Sequence, residues 1–427
     1  MERPILFDAV VFDLDGTLVA TDRFWVEAAR TGARRALAEL GIERELPSGA
    51  EWMSLVGLPL SEGFALLFPD LAPPARALLQ RRCVEEEERA LRDGQAALLP
   101  GVPEVLGELA GRGLKLGIAS NCGRDYLRTM LVELGLERWV REARCLDTPG
   151  MRSKSAMVGD LLESFGTRAA VMVGDRQGDR DAAWANGLPH VHSARGFAQH
   201  GEDLACEAVI EDMGELVGLL ERRAQWIAGV LERLGWSARG GPRSLGVAGH
   251  SGSGKTLFAR DAARLFAQSG RRAVVVALDD FQKPEARAAD LGATNFWPRE
   301  RPLDHLPLSF DAYELVEAVL EPHAAGRRVE HRREGLELAI EPEDVLILEG
   351  TYLLHPLLRA RLDRVVQLEV DDNVCLRRLA GRDARAGAEA LLRLRRHALP
   401  SQRAFDAEVD PAKSADLCLP GDNVLGS

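Results

Sequence analysis

Two short stretches of the chain carry residue types arranged for work on phosphorus. The first is VVFDLDGTLV, where Asp13 and Asp15 follow an apolar run two residues apart. Two carboxylates so placed can divide labour, one attacking as a nucleophile while the other moves a proton. A strand that merely ends in an Asp-Gly turn would show the same letters, so the pair needs support from elsewhere. The second is VAGHSGSGKT, Val247 to Thr256, lying between an apolar strand pattern, SLGVAG, and a helical one, TLFARDAARLFAQSG. The backbone of such a loop, with a helix N-terminus behind it, can cradle a nucleotide's phosphates through Gly249, Ser251, Gly252, Ser253 and Gly254. Lys255 would reach the β- and γ-phosphates, and Thr256 would ligate Mg²⁺.

Each stretch has supporting residues further along. LGIASNC ends an apolar run with Ser120 and Asn121, small groups suited to holding a phosphoryl oxygen. MRSKSAMVGD places Lys154 ahead of a helical pattern, and VMVGDRQGDRDAAWANGL ends a strand pattern with Asp175 and Asp179. Only five of the 54 basic residues are lysine, so the positions of Lys154 and Lys255 carry more information than usual. In the back half, VVVALDDFQKPEA sets Asp279 and Asp280 at a strand end, and VLILEG does the same for Glu349.

The elements that must hold these residues are legible as alternating strands and helices. AVVFDLD, LKLGIAS, AAVMVGD and EAVIED read as buried strands in the front half; SLGVAG, AVVVALDD, VLILEG and RVVQLEV do so in the back. That alternation predicts an α/β chain of two three-layer domains built on parallel sheets, with ligands at the carboxyl ends of the strands. The expected division is a first domain over residues 1–221, a helical linker over 222–243 and a second domain over 244–427. Residues 21–98 show helical periodicity and no strand, which predicts an all-helical insertion. Within it, Trp52 and Phe64 are expected in the core rather than in a pocket, and the run Glu85 to Glu88 reads as a solvated helix face.

Composition narrows the classes. With 46% apolar and 28% charged residues, the chain has the makings of globular cores. No run of eighteen apolar residues is present, so no membrane span is expected. The opening MERPILFDAV passes from charge straight into a strand pattern and lacks the apolar segment of a secretory signal. Six scattered cysteines form no C-x-x-C pair, which fits a reducing cytoplasm. A net charge of −12 argues against nucleic acid as a partner.

The four front-half motifs, in this order and each at a strand end, resemble the haloacid dehalogenase superfamily of phosphohydrolases over about Ile5 to Leu220. The resemblance implies a HAD-like Rossmannoid domain with a helical cap. Asp13 would be the nucleophile forming an aspartyl-phosphate, Asp15 the general acid and base, and Ser120, Asn121 and Lys154 the groups steadying the phosphoryl. Asp13, Asp15, Asp175 and Asp179 would hold Mg²⁺. A phosphomutase on this fold fits the motifs too. From Ser244 to Pro420 the order of motifs resembles the uridine kinase-like family of P-loop NTPases, which includes phosphoribulokinases. By that resemblance Asp279 would accept the substrate hydroxyl's proton, and Thr256 and Glu349 would serve Mg²⁺. Arg382, with Arg385, would stabilise charge from a lid, and Asp304 would bind sugar hydroxyls. The family's aromatic residue after the Asp279 pair is replaced by Gln282. RRVEHRREG, with His331, Arg332 and Arg333, hints at an acidic or phosphorylated acceptor or is a solvated surface strand.

Together these readings predict a Mg²⁺-dependent phosphatase joined to an ATP-dependent kinase. Its partners would be small phosphate esters and a small alcohol acceptor such as a nucleoside, sugar or sugar phosphate. Two other readings use the same motifs. One is a polynucleotide 5′-kinase/3′-phosphatase, opposed by the helical cap and the acidic charge. The other makes one half a non-catalytic sensor of nucleotide or phosphate, opposed by the intact acid pairs.

Overall fold

The structure is a computed structural model that describes residues 3–237, 240–286, 301–382, 392 and 394–421. The chain divides into two compact units. One is Phe7–Leu220; the other is Glu221–Ser427 together with the first residues of the chain up to Leu6.

The first unit is built on six strands: β1 (Ala9–Phe12), β2 (Lys115–Ala119), β3 (Val140–Arg144), β4 (Ala170–Gly174), β5 (His190–Ser193) and β6 (Ala208–Ile210). They are parallel throughout, in the order β3-β2-β1-β4-β5-β6. β1 is apolar at all four positions because helices cover both faces of a parallel sheet. Ala9 and Val11 pack on one face against the helices Lys154–Phe165 and Gln177–Ala185, and Val10 and Phe12 are buried on the other. The strand order reverses at β1, which opens a crevice at its carboxyl end. Asp13 is the next residue.

Between β1 and β2 lies the helical insertion, made of Trp25–Leu40, Gly49–Met53, Leu60–Leu67 and Pro73–Arg92. Its two connections run side by side: Ala20 N–H donates to Ala97 at 3.0 Å and Leu99 N–H to Leu18 at 2.9 Å. Trp52 and Phe64 are buried in its core, where Trp52 packs against Trp25, Phe64 and Phe68 at ring separations of 6.3, 5.9 and 5.8 Å. The run Glu85 to Glu88 departs from the expected solvated face. Successive residues on a helix are turned by about 100°, so four in a row cannot share one side, and Glu86 and Glu87 are buried.

The second unit holds a five-stranded parallel sheet and a hairpin. Its strands are β7 (Ser244–Gly249), β8 (Ala273–Ala277), β9 (Val329–Arg333), β10 (Leu336–Ile340), β11 (Val345–Gly350), β12 (Arg364–Glu369) and β13 (Leu417–Pro420). The sheet order is β13-β12-β7-β11-β8, and β9 pairs antiparallel with β10. The stretch expected to be a linker is largely structural. On the helix Glu215–Arg233, Ala224, Ile227, Val230 and Leu231 face Leu245, Val247 and Phe258 in one buried cluster, because their spacing keeps one apolar stripe toward the sheet. Leu6 belongs to the same cluster, and its carbonyl accepts from Arg264 at 2.9 Å. The expected first domain of residues 1–221 therefore loses its opening residues to the second core.

An ion pair fastens that helix to the one after β7. Arg223 Nε donates to Asp261 Oδ2 at 2.9 Å, with the two residues 1% and 0% exposed. Burial depresses the Arg223 pKa against the pull of Asp261. Removing one member of a buried pair strands the other charge, so Asp261→Ala is expected to cost about 3–5 kcal/mol in urea unfolding. The double change Arg223→Met with Asp261→Leu should recover most of that loss.

Candidate active sites

In the first unit, Lys154 anchors a cluster of carboxylates. Ser153 caps the helix that Lys154 opens, accepting from Ala156 N–H at 3.2 Å, which fixes the lysine at the sheet edge. Its Nζ lies 2.8 Å from Asp13 Oδ1 and 2.6 Å from Asp179 Oδ1. Asp175, just past β4, accepts from Phe197 N–H at 2.5 Å and from Thr17 Oγ1 at 3.3 Å. Oxygen atoms of Asp13, Asp175 and Asp179 lie within 4.8 Å of one another, all buried. Gly174 makes the crowding possible, since a Cβ there would fall 2.4 Å from the Asp179 side chain.

Three carboxylates face one ammonium, and the protonation of Asp13 and Asp175 reflects it. Burial first, then Asp179, holds the Asp13 carboxyl well above its usual range; the same two causes push Asp175 up to about 7. Burial opposes the charge on Lys154, but Asp13 and Asp179 outweigh it and raise its pKa. Asp13 Oδ2 is buried without a hydrogen-bond partner. An excess of negative charge and an orphaned oxygen suit a hard divalent cation such as Mg²⁺.

Asp15 stands apart from this group. Its Oδ1 accepts from Thr21 Oγ1 and from Tyr126 Oη, each at 2.6 Å. Burial raises its pKa, with those two hydrogen bonds pulling the other way. Asp15 lines a cleft with Ser120, Asn121 and Tyr126 from the sheet side and with Trp25 and Glu87 from the insertion. The insertion is tied over the cleft by backbone contacts: Asn121 Nδ2 donates to Gly57 at 2.9 Å, and Arg176 donates to the carbonyl of Val56.

In the second unit the loop after β7 closes on the helix Lys255–Gln268. Gly252 has φ +83°, and a Cβ on it would meet the Cys375 carbonyl at 2.8 Å, so only glycine fits. Lys255 Nζ donates to the His250 carbonyl at 2.9 Å. Burial lowers the Lys255 pKa while Glu349 and Asp279 pull it up. Thr256 Oγ1 donates to Glu349 Oε1 at 2.8 Å; burial raises the pKa of that glutamate. The helix Leu399–Val409 meets the loop as well: Gln402 accepts from Ser251 N–H at 3.0 Å, and Asp406 lies 2.9 Å from His250 Nε2.

Residues 10–192 match the family of haloacid dehalogenase-like hydrolases, and residues 244–421 match the phosphoribulokinase/uridine kinase family. A phosphoglycolate phosphatase of Rhodospirillum rubrum is 33% identical over 221 residues, covering 49% of this chain and 88% of its own length. A uridine kinase of Brevibacillus brevis is 31% identical over 156 residues, covering 34% of this chain and 67% of its own length. The chain belongs to both families, one in each half. Among solved structures, CbbY from Rhodobacter sphaeroides in complex with phosphate is 20% identical at a TM-score of 0.42, covering 49% of this chain and 96% of that one.

Against these two family domains the expected residues fall into groups. In the hydrolase half, Asp13, Asp175, Asp179 and Lys154 come together, and Ser120 and Asn121 line the adjoining cleft. The Asp15 side chain does not join the acidic trio as a metal ligand, because Thr21 and Tyr126 turn it toward the cleft. In the kinase half, Lys255, Thr256 and Glu349 meet, with Asp279 and Arg382 each in electrostatic reach of Lys255. Asp304 is exposed on a short turn after Arg301, and Arg385 lies outside the described residues. The basic cluster is neutralised by its own neighbours: Arg333 reaches Asp311 and Glu314 at 3.2 Å, and Arg332 pairs with Glu337. His331 lies 3.3 Å from Glu314 and stacks on Phe281. Sequence reasoning missed Tyr126 and Glu87. Tyr126 had no motif to mark it, whereas the helical phase of the glutamate run could have shown that two of the four turn inward.

The acidic trio yields a prediction. A Mg²⁺ ion held by these carboxylates would compete with protons for them, so its stabilisation of the protein should grow as pH rises from about 6 to about 8, through the Asp175 range near 7. At about a hundred times its dissociation constant the ion should add about 2.7 kcal/mol. Asp175→Asn should remove most of that gain in a thermal-shift titration.

Proposed function

We propose that the hydrolase half cleaves small phosphate monoesters through an aspartyl-phosphate, and that the kinase half transfers the γ-phosphoryl of ATP to a small-molecule hydroxyl. The observation that supports the first activity best is the unpartnered Asp13 oxygen beside a tethered lysine, with Asp15, two residues on, a buried carboxyl whose raised pKa suits it to carry a proton. Asp13 attacks phosphorus, the bond from phosphorus to the leaving oxygen breaks, and Asp15 gives that oxygen a proton. Asp15, now ionised, takes a proton from water as the water attacks the aspartyl-phosphate; inorganic phosphate leaves and Asp13 is restored. Asp13, Asp175 and Asp179 would hold Mg²⁺, which when bound supplies positive charge to the phosphoryl oxygens. Lys154 opposes the rise in the Asp13 pKa and holds its carboxyl in place. The cap excludes water from the cleft.

In the kinase half Asp279 takes the proton of the acceptor hydroxyl, whose oxygen attacks the γ-phosphorus as ADP leaves. Lys255 supplies charge beside the β- and γ-phosphates, and Thr256 and Glu349 would hold Mg²⁺. Breaking the contact between Lys255 and the His250 carbonyl frees the ammonium for the nucleotide. Arg333 pairs with Asp311 and Glu314, and Arg332 with Glu337, so the hairpin's arginines already have acidic partners that a second phosphate would have to displace. An acceptor without one, such as a nucleoside or sugar, fits the hairpin better.

The two reactions should be separable by single changes. Asp13→Asn is expected to abolish phosphate release from small esters and leave ATP-dependent phosphorylation intact. Lys255→Ala should do the reverse. Both are read by phosphate assay and by mass spectrometry of a metabolite mixture incubated with ATP and Mg²⁺. Loss of both activities in either variant would contradict independent sites.

A further inference from the structure

Glu87 is a buried carboxyl with no partner. It stands on the cap helix Pro73–Arg92, is 8% exposed and lines the cleft that Asp15 faces. Its neighbours in the run are engaged: Glu85 binds Arg82 at 2.7 Å, Glu86 binds Arg89 at 2.5 Å, and Glu88 lies 3.8 Å from Arg92. Glu87 makes no hydrogen bond or ion pair with any described residue. Buried carboxyls are rarely left so. Burial, then the nearness of Asp15, raises its pKa. Among the described residues lining the cleft there is no lysine, arginine or histidine; the walls near Glu87 are aromatic and aliphatic, with Trp25, Leu60 and Tyr126.

We propose that Glu87 selects the leaving group of the hydrolase site, favouring esters whose alcohol carries a hydroxyl or ammonium donor and rejecting those whose alcohol carries a second anion. The inference rests on the hydrolase reading above. A donor on the leaving group satisfies the one buried acceptor the cap leaves open, and sites built to pair a substrate donor discriminate strongly against analogues that lack it. A carboxylate or second phosphate in that place would meet two buried carboxyls, Glu87 and Asp15, with no lysine, arginine or histidine among the described residues that line the cleft. The chemistry separates this chain from the phosphoglycolate phosphatase of Rhodospirillum rubrum, whose named substrate has a carboxylate on its alcohol.

The test uses the full chain with Mg²⁺ and compares kcat/KM for four esters. p-Nitrophenyl phosphate reports Asp13 chemistry alone, glycerol phosphate brings hydroxyls, phosphoethanolamine an ammonium and phosphoglycolate a second anion. Wild type is expected to prefer the hydroxyl or the ammonium ester over phosphoglycolate by at least about tenfold. Ratios between esters within one variant cancel any loss common to all of them. If the ammonium is the natural donor, Glu87→Gln should cut its advantage about tenfold; if the hydroxyl is, Glu87→Gln should keep that advantage and Glu87→Leu should remove it. Glu87→Lys should invert the order in favour of phosphoglycolate. Equal use of phosphoglycolate by wild type, or ratios unmoved in all three variants, would overturn the proposal. Failure of wild type on p-nitrophenyl phosphate as well would instead overturn the hydrolase reading itself.

Discussion

An imbalance of buried charge governs the hydrolase half. Lys154 alone cannot neutralise Asp13, Asp175 and Asp179, which the fold holds within a few ångströms of one another and away from water. Carboxyls whose folded pKa lies above the unfolded value bind more protons folded than unfolded. Such groups take stability away as pH climbs from the unfolded range near 4 toward 7. A divalent cation held by the ionised carboxylates of the folded state would offset that loss.

The second unit solves a related problem with a different sign. Its single buried ammonium, Lys255, is held by a backbone carbonyl and faces Glu349 rather than three acids. The loop around it is a concave array of backbone groups closed by glycines, which suits a polyanion. In each unit the reactive loop follows the first strand of its sheet, an interior strand at whose carboxyl end a crevice can open: β1 between β2 and β4, β7 between β12 and β11. Helix N-termini then finish the work, Ser153 capping the helix of Lys154 and Gly254 opening that of Lys255.

What was legible beforehand follows from how residues signal burial. Fully apolar strands such as AVVF and VLIL announce themselves, and the acids at their ends were found with them. β3, with the sequence Val-Arg-Glu-Ala-Arg, lies at a sheet edge and carries charge, while β5 buries two histidines; neither resembles a core strand in composition. The carboxylate trio could be named from spacing within motifs. The orientation of Asp15 could not, because it depends on Tyr126, 111 residues away, reaching across the cleft. The glutamate run departs from expectation for a simpler reason: charge alone does not set exposure, and the helix turns Glu86 and Glu87 inward. The basic hairpin left two readings open in the sequence, since its acidic partners Asp311 and Glu314 meet it only in the folded chain.

The covalent order of the chain bears on the idea that one half is a silent sensor for the other. Cutting at the apparent junction near residue 243 would divide the protein at the wrong place. Leu6 and the stripe Ala224, Ile227 and Val230 are buried in the kinase core, beside Phe258 on the helix that Lys255 opens. A kinase fragment beginning at residue 244 would lose those side chains and also Arg223, leaving the fully buried Asp261 with Arg260 but without its partner on Oδ2. Weak binding or turnover by such a fragment would then report a damaged core rather than an inherent lack of activity. Changes confined to the reacting side chains leave both cores whole, so they separate a sensor from an enzyme where truncation cannot.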